Sequence, residues 1–303
     1  MERDETMAGF FDPDVISRIQ RYDIRARRVV EGFLVGIHKS PFLGTGLEFK
    51  QHREYVQGDD LRFLDWKVYA KTDRFFVKQF EWETNMPCQF VLDCSESMIY
   101  KGAAPMSKFD YAATAAASLA YLLVLQRDAV GFTFFDAKVR AHIPPQATYS
   151  QFHHAVTTME NITPGAQTMT GDALMAVGAN LKRRGLIVLL SDFLDDVEPI
   201  ALGLNRLWFD GHEVVALSVA DPFELDFPFS GPAVLEGLEQ TGELRCDPSD
   251  YREVYLESRA AHFAALRAAC RRLQFDLSEL VTSRPLDEAL SEMLLLRQQT
   301  AAR

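Results

Sequence analysis

Three short segments of the chain combine acids and hydroxyls in a pattern that suits a hard divalent cation. The first reads Asp93-Cys94-Ser95-Glu96-Ser97, the second begins at Thr168, and the third is Ser191-Asp192. Carboxylate and hydroxyl oxygens are ligands that Mg²⁺ prefers and zinc does not. The candidate metal ligands are therefore Asp93, Ser95, Ser97, Thr168 and Asp192. The expected ion is Mg²⁺, with Mn²⁺ or Ca²⁺ as alternatives.

The charge of this ligand set predicts what the site binds. Two carboxylates, Asp93 and Asp192, against one divalent cation leave a roughly neutral site with an unfilled coordination position. A carboxylate from another molecule is the natural further ligand, because a third internal acid would remove the attraction. The chemistry favours a site that grips an acidic side chain of a partner protein.

The elements around these segments indicate an α/β fold. From Cys88 onwards, short apolar runs alternate with helical patterns, which is typical of a parallel sheet covered on both faces. The predicted class is a doubly wound, mostly parallel sheet. Ligand sites in such sheets lie beyond the carboxyl ends of the strands, and two predicted strands end at Asp93 and Asp192. The predicted strands are Cys88–Leu92, Val130–Phe135, Val139–Ile143, Leu186–Leu190, Val214–Val219 and Phe275–Leu280.

The residues before this alternation have a different character. An irregular apolar stripe predicts a helix over 13–33, and the apolar run from Phe75 to Phe80 leans towards β structure. We therefore expect two parts: an N-terminal helix and β extension over residues 1–86, and a main domain over 87–303 that carries the metal site.

The motifs carry a family resemblance. The DxSxS run, the T-x-T-x-x-A-L segment from Thr168 and the late strand-end Asp192 resemble the metal-ion-dependent adhesion site (MIDAS) of von Willebrand factor A-type (vWA) domains. The resemblance implies a vWA/Rossmann-like sheet, direct metal binding by Ser95 and Ser97, and some water-mediated contacts. The run from Glu48 to Trp66 resembles DUF58 proteins, and that resemblance covers about residues 36–298. It implies a partner of the MoxR-type AAA+ ATPase class, or its client, in protein assembly or maturation.

Other interpretations of the same residues remain open. Asp and Ser often only cap turns, in which case the chain is a structural subunit with a degenerate metal site. A magnesium-dependent hydrolase or phosphatase would need a base or a second metal, and none is evident beside the ligands. We therefore predict a binding protein and not an enzyme. Cys94 is expected to pack in the core, Asp195 and Asp196 to be a solvated pair at a helix start, and Gly58–Trp66 to form an ion-paired turn.

Composition narrows the classes of partner. The formal net charge is -11 with no long basic run, so nucleic acid is not expected as a partner. No run approaches the ~20 apolar residues of a membrane span. Four scattered cysteines suit a reducing compartment, which predicts a cytoplasmic location. The chain has no Walker A sequence, so mechanical work would come from the ATPase partner.

Overall fold

A computed structural model describes residues 21–37, 48–54, 76–81, 86–238 and 242–301. The start of the helix predicted over 13–33 and the turn predicted at Gly58–Trp66 lie outside these residues. The chain divides into two compact units, one of residues 37–85 and one of residues 1–36 and 86–303. In the smaller unit, strand β1 (Glu48–Glu54) pairs antiparallel with strand β2 (Phe76–Glu81).

The larger unit contains a six-stranded sheet. Its strands are β3 (Cys88–Asp93), β4 (Val130–Phe135), β5 (Val139–Gln146), β6 (Leu186–Ser191), β7 (Glu213–Ala220) and β10 (Asp276–Val281). They lie in the order β10-β7-β6-β3-β4-β5, and only the edge strand β5 runs antiparallel to its neighbour. The order reverses direction between β3 and β6. The predicted doubly wound, mostly parallel α/β fold is confirmed.

Helices cover both faces of this sheet. They are α1 (Tyr22–Ile37), α2 (Lys108–Leu125), α3 (Tyr149–Asn161), α4 (Thr170–Asn180), α5 (Val197–Phe209), α6 (Pro222–Asp226), α7 (Arg252–Arg272) and α8 (Leu286–Ala301). A separate hairpin pairs β8 (Ala233–Gly237) with β9 (Gly242–Cys246). Within the described residues, no helix has both the length and the apolarity needed to cross a membrane.

The core forms because alternate strand residues point to opposite faces of the sheet. On β3, Phe90 and Leu92 join the larger apolar cluster, whereas Val91 belongs to the cluster on the other face. Helix α2 packs against the first face through small residues that are fully buried, among them Ala112, Ala116 and Ala120. Ser107 caps this helix by accepting a hydrogen bond from the Asp110 amide. The Lys108 amide donates to the Tyr100 carbonyl and its ammonium donates to Asp192, so the loops after β3 and β6 lie beside the start of α2.

Helix α1 also belongs to the core of the larger unit. Tyr22, Ala26 and Val29 are buried in the same apolar cluster as the sheet. The Tyr22 hydroxyl donates a hydrogen bond to Asp110 Oδ1 at 2.7 Å. Within the extension predicted over residues 1–86, the buried face of helix α1 therefore packs in the main core.

Candidate metal site

The loop after β3 holds the first three candidate ligands together. Asp93 is fully buried, and its Oδ1 accepts a hydrogen bond from the Ser95 amide at 2.9 Å. Its Oδ2 accepts a second one from the Ser191 hydroxyl, at 2.6 Å. The Oγ atoms of Ser95 and Ser97 are 3.0 Å apart. The side chains of this loop thus form one cluster of oxygens at the carboxyl end of β3.

Asp192 places a second buried carboxylate close to Asp93. Burial, followed by the negative charge of Asp192, raises the pKa of Asp93 to about 7. Hydrogen bonds from Ser191 and Ser95 act in the opposite direction, because they stabilise the ionised form. Two neighbouring acids in a buried position create a negative potential, and a cation bound there would relieve it.

Thr168 lies in a second loop, which is hydrogen-bonded to the first. The Gly165 amide donates to the Cys94 carbonyl, and the Glu96 amide donates to the Ala166 carbonyl, each at 2.9 Å. Thr168 is buried, and like Ser97 it lines a cleft of about 1020 Å³ at this edge of the sheet. The fold therefore brings the loops of all five candidate ligands together at the carboxyl ends of the strands.

The donor set fits a hard divalent cation better than a soft one. It consists of two carboxylates and three hydroxyls, which are oxygen ligands of the kind that Mg²⁺ takes. In the part of the chain that the structure describes, no three His, Cys, Asp or Glu side chains are grouped so that they could hold a metal. An ion in this position would therefore depend on the hydroxyls of Ser95, Ser97 and Thr168.

Lys108 is a component of the site that sequence reasoning missed. Its side chain is buried at the first position of α2, and its ammonium donates to Asp192 Oδ2 at 2.8 Å and to Glu224 Oε1 at 2.5 Å. Burial disfavours the charged form, but the charges of Asp192 and Glu224 outweigh it and raise the pKa of Lys108. A lysine in the first helical turn opposes the helix dipole. That mismatch was the one available sequence signal.

Two predictions about neighbouring residues have different outcomes. Cys94 is buried and its thiol contacts the Leu92 carbonyl at 3.5 Å, so it packs in the core as expected. The interpretation of Asp195 as part of a solvated pair is wrong. Its carboxylate accepts hydrogen bonds from the Thr170 amide at 2.7 Å and hydroxyl at 3.1 Å, and burial raises its pKa. Asp195 therefore joins the loop after β6 to the start of α4.

Comparisons with known proteins add a family and several relatives. A family model described as "Protein of unknown function DUF58" matches residues 51–265, more than half of the chain. The protein Rv1480 of Mycobacterium tuberculosis, described as uncharacterized, is 28% identical over 281 residues, which cover 90% of this chain and 86% of that protein. The Mycobacterium bovis protein Mb1516, also described as uncharacterized, matches to the same extent.

Several solved structures are similar to this chain at lower sequence identity. BatB from Bacteroides thetaiotaomicron, described as a conserved hypothetical protein, has 16% sequence identity and a TM-score of 0.47. The match covers 71% of this chain and 98% of that one. The SpRpn10 VWA domain has 15% identity and a TM-score of 0.43, over 68% of this chain and 94% of that domain.

Proposed function

This chain belongs to the DUF58 family, as its sequence motifs predict, and we propose that its larger unit is a metal-dependent protein-interaction module of the vWA type. The module binds Mg²⁺ or a similar divalent ion through Asp93, Ser95, Ser97, Thr168 and Asp192. The bound ion then takes an acidic side chain of a partner protein as a further ligand. The partner is a MoxR-type AAA+ ATPase or its client, and the complex acts in protein assembly or maturation in the cytoplasm.

The observation that carries the proposal is the buried pair Asp93 and Asp192 beside two serine hydroxyls that are 3.0 Å apart. Burying Asp93 beside Asp192 costs free energy, which Lys108 offsets in part by pairing with Asp192, and a divalent cation would offset the rest. Hydroxyls add oxygen donors without adding charge. Such a set retains enough positive charge on the ion to attract one more carboxylate.

The nature of the site supports binding over catalysis. A metal that activates water for hydrolysis works with a nearby base or a second metal. The two carboxylates here are engaged: Asp93 accepts hydrogen bonds from Ser95 and Ser191, and Asp192 accepts one from Lys108. A bound ion would attract a further ligand: the charge of the donor set favours an acidic side chain, and the DUF58 resemblance implies the partner protein that carries it.

A two-stage measurement tests the proposal. We expect calorimetric titration of the full chain with Mn²⁺ to give saturable binding that Asp93→Ala weakens at least tenfold, or about 1.4 kcal/mol. The purified MoxR-type ATPase of the same organism should then bind the wild-type chain in Mg²⁺, and binding should be lost in EDTA and with Asp93→Ala.

The matched control is Asp250→Ala, which removes an exposed carboxylate outside the site and should leave both binding steps unchanged. Identical titrations for the wild type and Asp93→Ala would refute the metal site. ATPase binding that persists in EDTA would refute the metal-dependent interaction. Magnesium-dependent turnover of a phosphate ester, abolished by Asp93→Ala, would replace the binding function by a hydrolytic one.

A further inference from the structure

The cleft beside the candidate metal site has a second wall, which the metal chemistry does not use. Its floor includes Ser97, Thr168 and Lys108. The opposite side is formed by helix α6, the segment after it, strand β8 and one residue of α7. The apolar residues of this side are Phe223, Phe227, Phe229, Leu235 and Tyr255. A partner that reaches the metal site through this cleft would pass over these side chains.

The rings of this wall form a connected cluster. Phe227 stacks on Tyr255 with ring centroids 4.5 Å apart, and it meets Phe229 edge to face at 5.2 Å. Phe229 in turn packs edge to face against Phe223 at 5.4 Å. All four side chains are half-buried, so part of each ring is still open to the cleft. A rigid aromatic surface of this kind suits a large apolar side chain of a partner.

Phe227 is held in an unusual backbone conformation. It ends helix α6 with a φ of 43°, in the left-handed region that glycine adopts without strain. An aromatic residue in this region costs free energy, and such strain persists where the surrounding structure enforces it, often at ligand sites. The strain here accompanies a ring that faces the cleft.

The aromatic wall is also fixed to the metal site. Lys108 donates one hydrogen bond to Asp192 and another to Glu224, which lies next to Phe223 in α6. The Tyr255 hydroxyl donates to the Glu224 carbonyl at 3.2 Å. Hydrogen bonds therefore link the floor of the cleft to its aromatic wall.

The rim of the cleft is acidic. Asp172, Asp196 and Glu236 are exposed there, and Glu96 and Asp195 are half-buried. Among the described residues that line the cleft, Lys108 is the one lysine or arginine, and its charge is already paired with Asp192 and Glu224. A bound divalent ion and Lys108 together would balance Asp93, Asp192 and Glu224 but would leave the rim negative.

We propose that this cleft binds a protein segment with one aspartate or glutamate beside a large apolar residue, flanked by lysine or arginine. The inference rests on the proposed function, because the single acid is the ligand of the bound metal. The aromatic wall takes the apolar neighbour, and the acidic rim attracts the basic flanks. A segment with several acids would be repelled by the rim, although the metal alone would accept it.

The probe is a fluorescein-labelled nine-residue peptide with a central aspartate followed by phenylalanine and two lysines on each side. Three companion peptides replace the aspartate by asparagine, the phenylalanine by serine, or the four lysines by glutamate. Fluorescence anisotropy with the full chain in Mg²⁺ gives the Kd of each. We expect each companion peptide to bind at least tenfold more weakly than the parent.

The variant Phe227→Gly removes the ring at a position whose backbone glycine prefers, so the chain should stay folded. We expect it to bind the parent peptide at least tenfold more weakly while its Mn²⁺ titration stays unchanged. The control Phe209→Ser alters a residue that is 80% exposed and lies outside the cleft, and it should bind as the wild type does. For the rim, Asp196→Lys should weaken binding of the parent peptide, and Asp250→Lys should not.

The outcomes distinguish the proposed function from this inference. If the wild type does not bind Mn²⁺, both the proposed function and this inference are wrong. If Mn²⁺ binding is normal, any of three results would overturn this inference alone. The glutamate-flanked peptide could bind as tightly as the parent, or Phe227→Gly could bind the parent peptide as tightly as the wild type does. The third such result is that none of the four peptides binds.

Discussion

Asp93 ends a fully buried strand, and its carboxylate is held by Ser95 and Ser191 within the field of Asp192. The two hydrogen bonds favour the ionised form, but burial and the neighbouring charge outweigh them. The result is a carboxylate that destabilises the metal-free protein when it is ionised. A residue with this cost suits a site that works with a bound cation.

A conservative substitution separates the structural cost of Asp93 from its role as a ligand. Because the pKa of Asp93 is raised to about 7 in the folded chain, its cost is absent below pH ~4 and complete above pH ~7. We expect Asp93→Asn to raise metal-free stability at pH 8 by up to ~4 kcal/mol, because one pKa unit corresponds to about 1.4 kcal/mol, with little change at pH 4. Thermal melts in EDTA at both pH values measure this.

Magnesium gives the second half of the comparison. It should raise the melting temperature of the wild type at pH 8 and leave that of Asp93→Asn unchanged. The control Asp250→Asn should melt as the wild type does under all conditions. A metal-free Asp93→Asn protein that melts below the wild type at pH 8 would contradict the electrostatic cost.

At the scale of elements, the start of α2 links two distant segments. Lys108 reaches Asp192 at the end of β6 and Glu224 in α6, which are 84 and 116 residues away along the chain. Lys108 is thus an ionic partner of both carboxylates. Because both ion pairs are buried, removing one partner leaves an uncompensated charge and costs free energy.

Replacing the ammonium tests this link. We expect Lys108→Met to lower the free energy of unfolding in EDTA by about 3–5 kcal/mol, because two carboxylates lose their counter-charge. A divalent ion next to Asp192 would restore part of that charge, so Mg²⁺ should stabilise Lys108→Met more than the wild type. Urea titrations with and without Mg²⁺ measure both effects. The control is Lys101→Met, in an exposed position of the preceding loop. Equal stability of the two variants would exclude this role of Lys108.

At the scale of the whole molecule, the larger unit is not continuous in sequence. Helix α1 contributes Tyr22, Ala26 and Val29 to its core, and residues 37–85 form a unit of their own between α1 and β3. The chain thus leaves and re-enters the same apolar core. We therefore expect helix α1 to unfold cooperatively with the sheet.

A pair of substitutions on α1 tests this. Ala26 is fully buried and Ile24 is 40% exposed on the same helix. We expect Ala26→Asp to cost ~3 kcal/mol through an unpaired buried charge and to lower the Tm of the main transition by roughly 6–12 °C. Ile24→Asp should leave the Tm nearly unchanged. Equal Tm values for both variants would mean that α1 unfolds separately.

Much of the fold could be predicted from local patterns in the sequence. The apolar runs at Val130–Phe135 and Leu186–Leu190 are strands within one residue of the prediction. The acids at the ends of β3 and β6 were also visible, because the end of an apolar run is a local feature. Strand-end positions then placed Asp93 and Asp192 at one edge of the sheet.

The tertiary structure alone decided which distant residues meet. The partners of Lys108 and the hydrogen bonds of Asp195 join segments that no local period connects. Helix α6 has five residues, which is too short to show a helical period, yet it carries Phe223 of the aromatic wall and is capped by Phe227. Periodicity records which side of an element is buried, whereas packing between elements determines what that side touches.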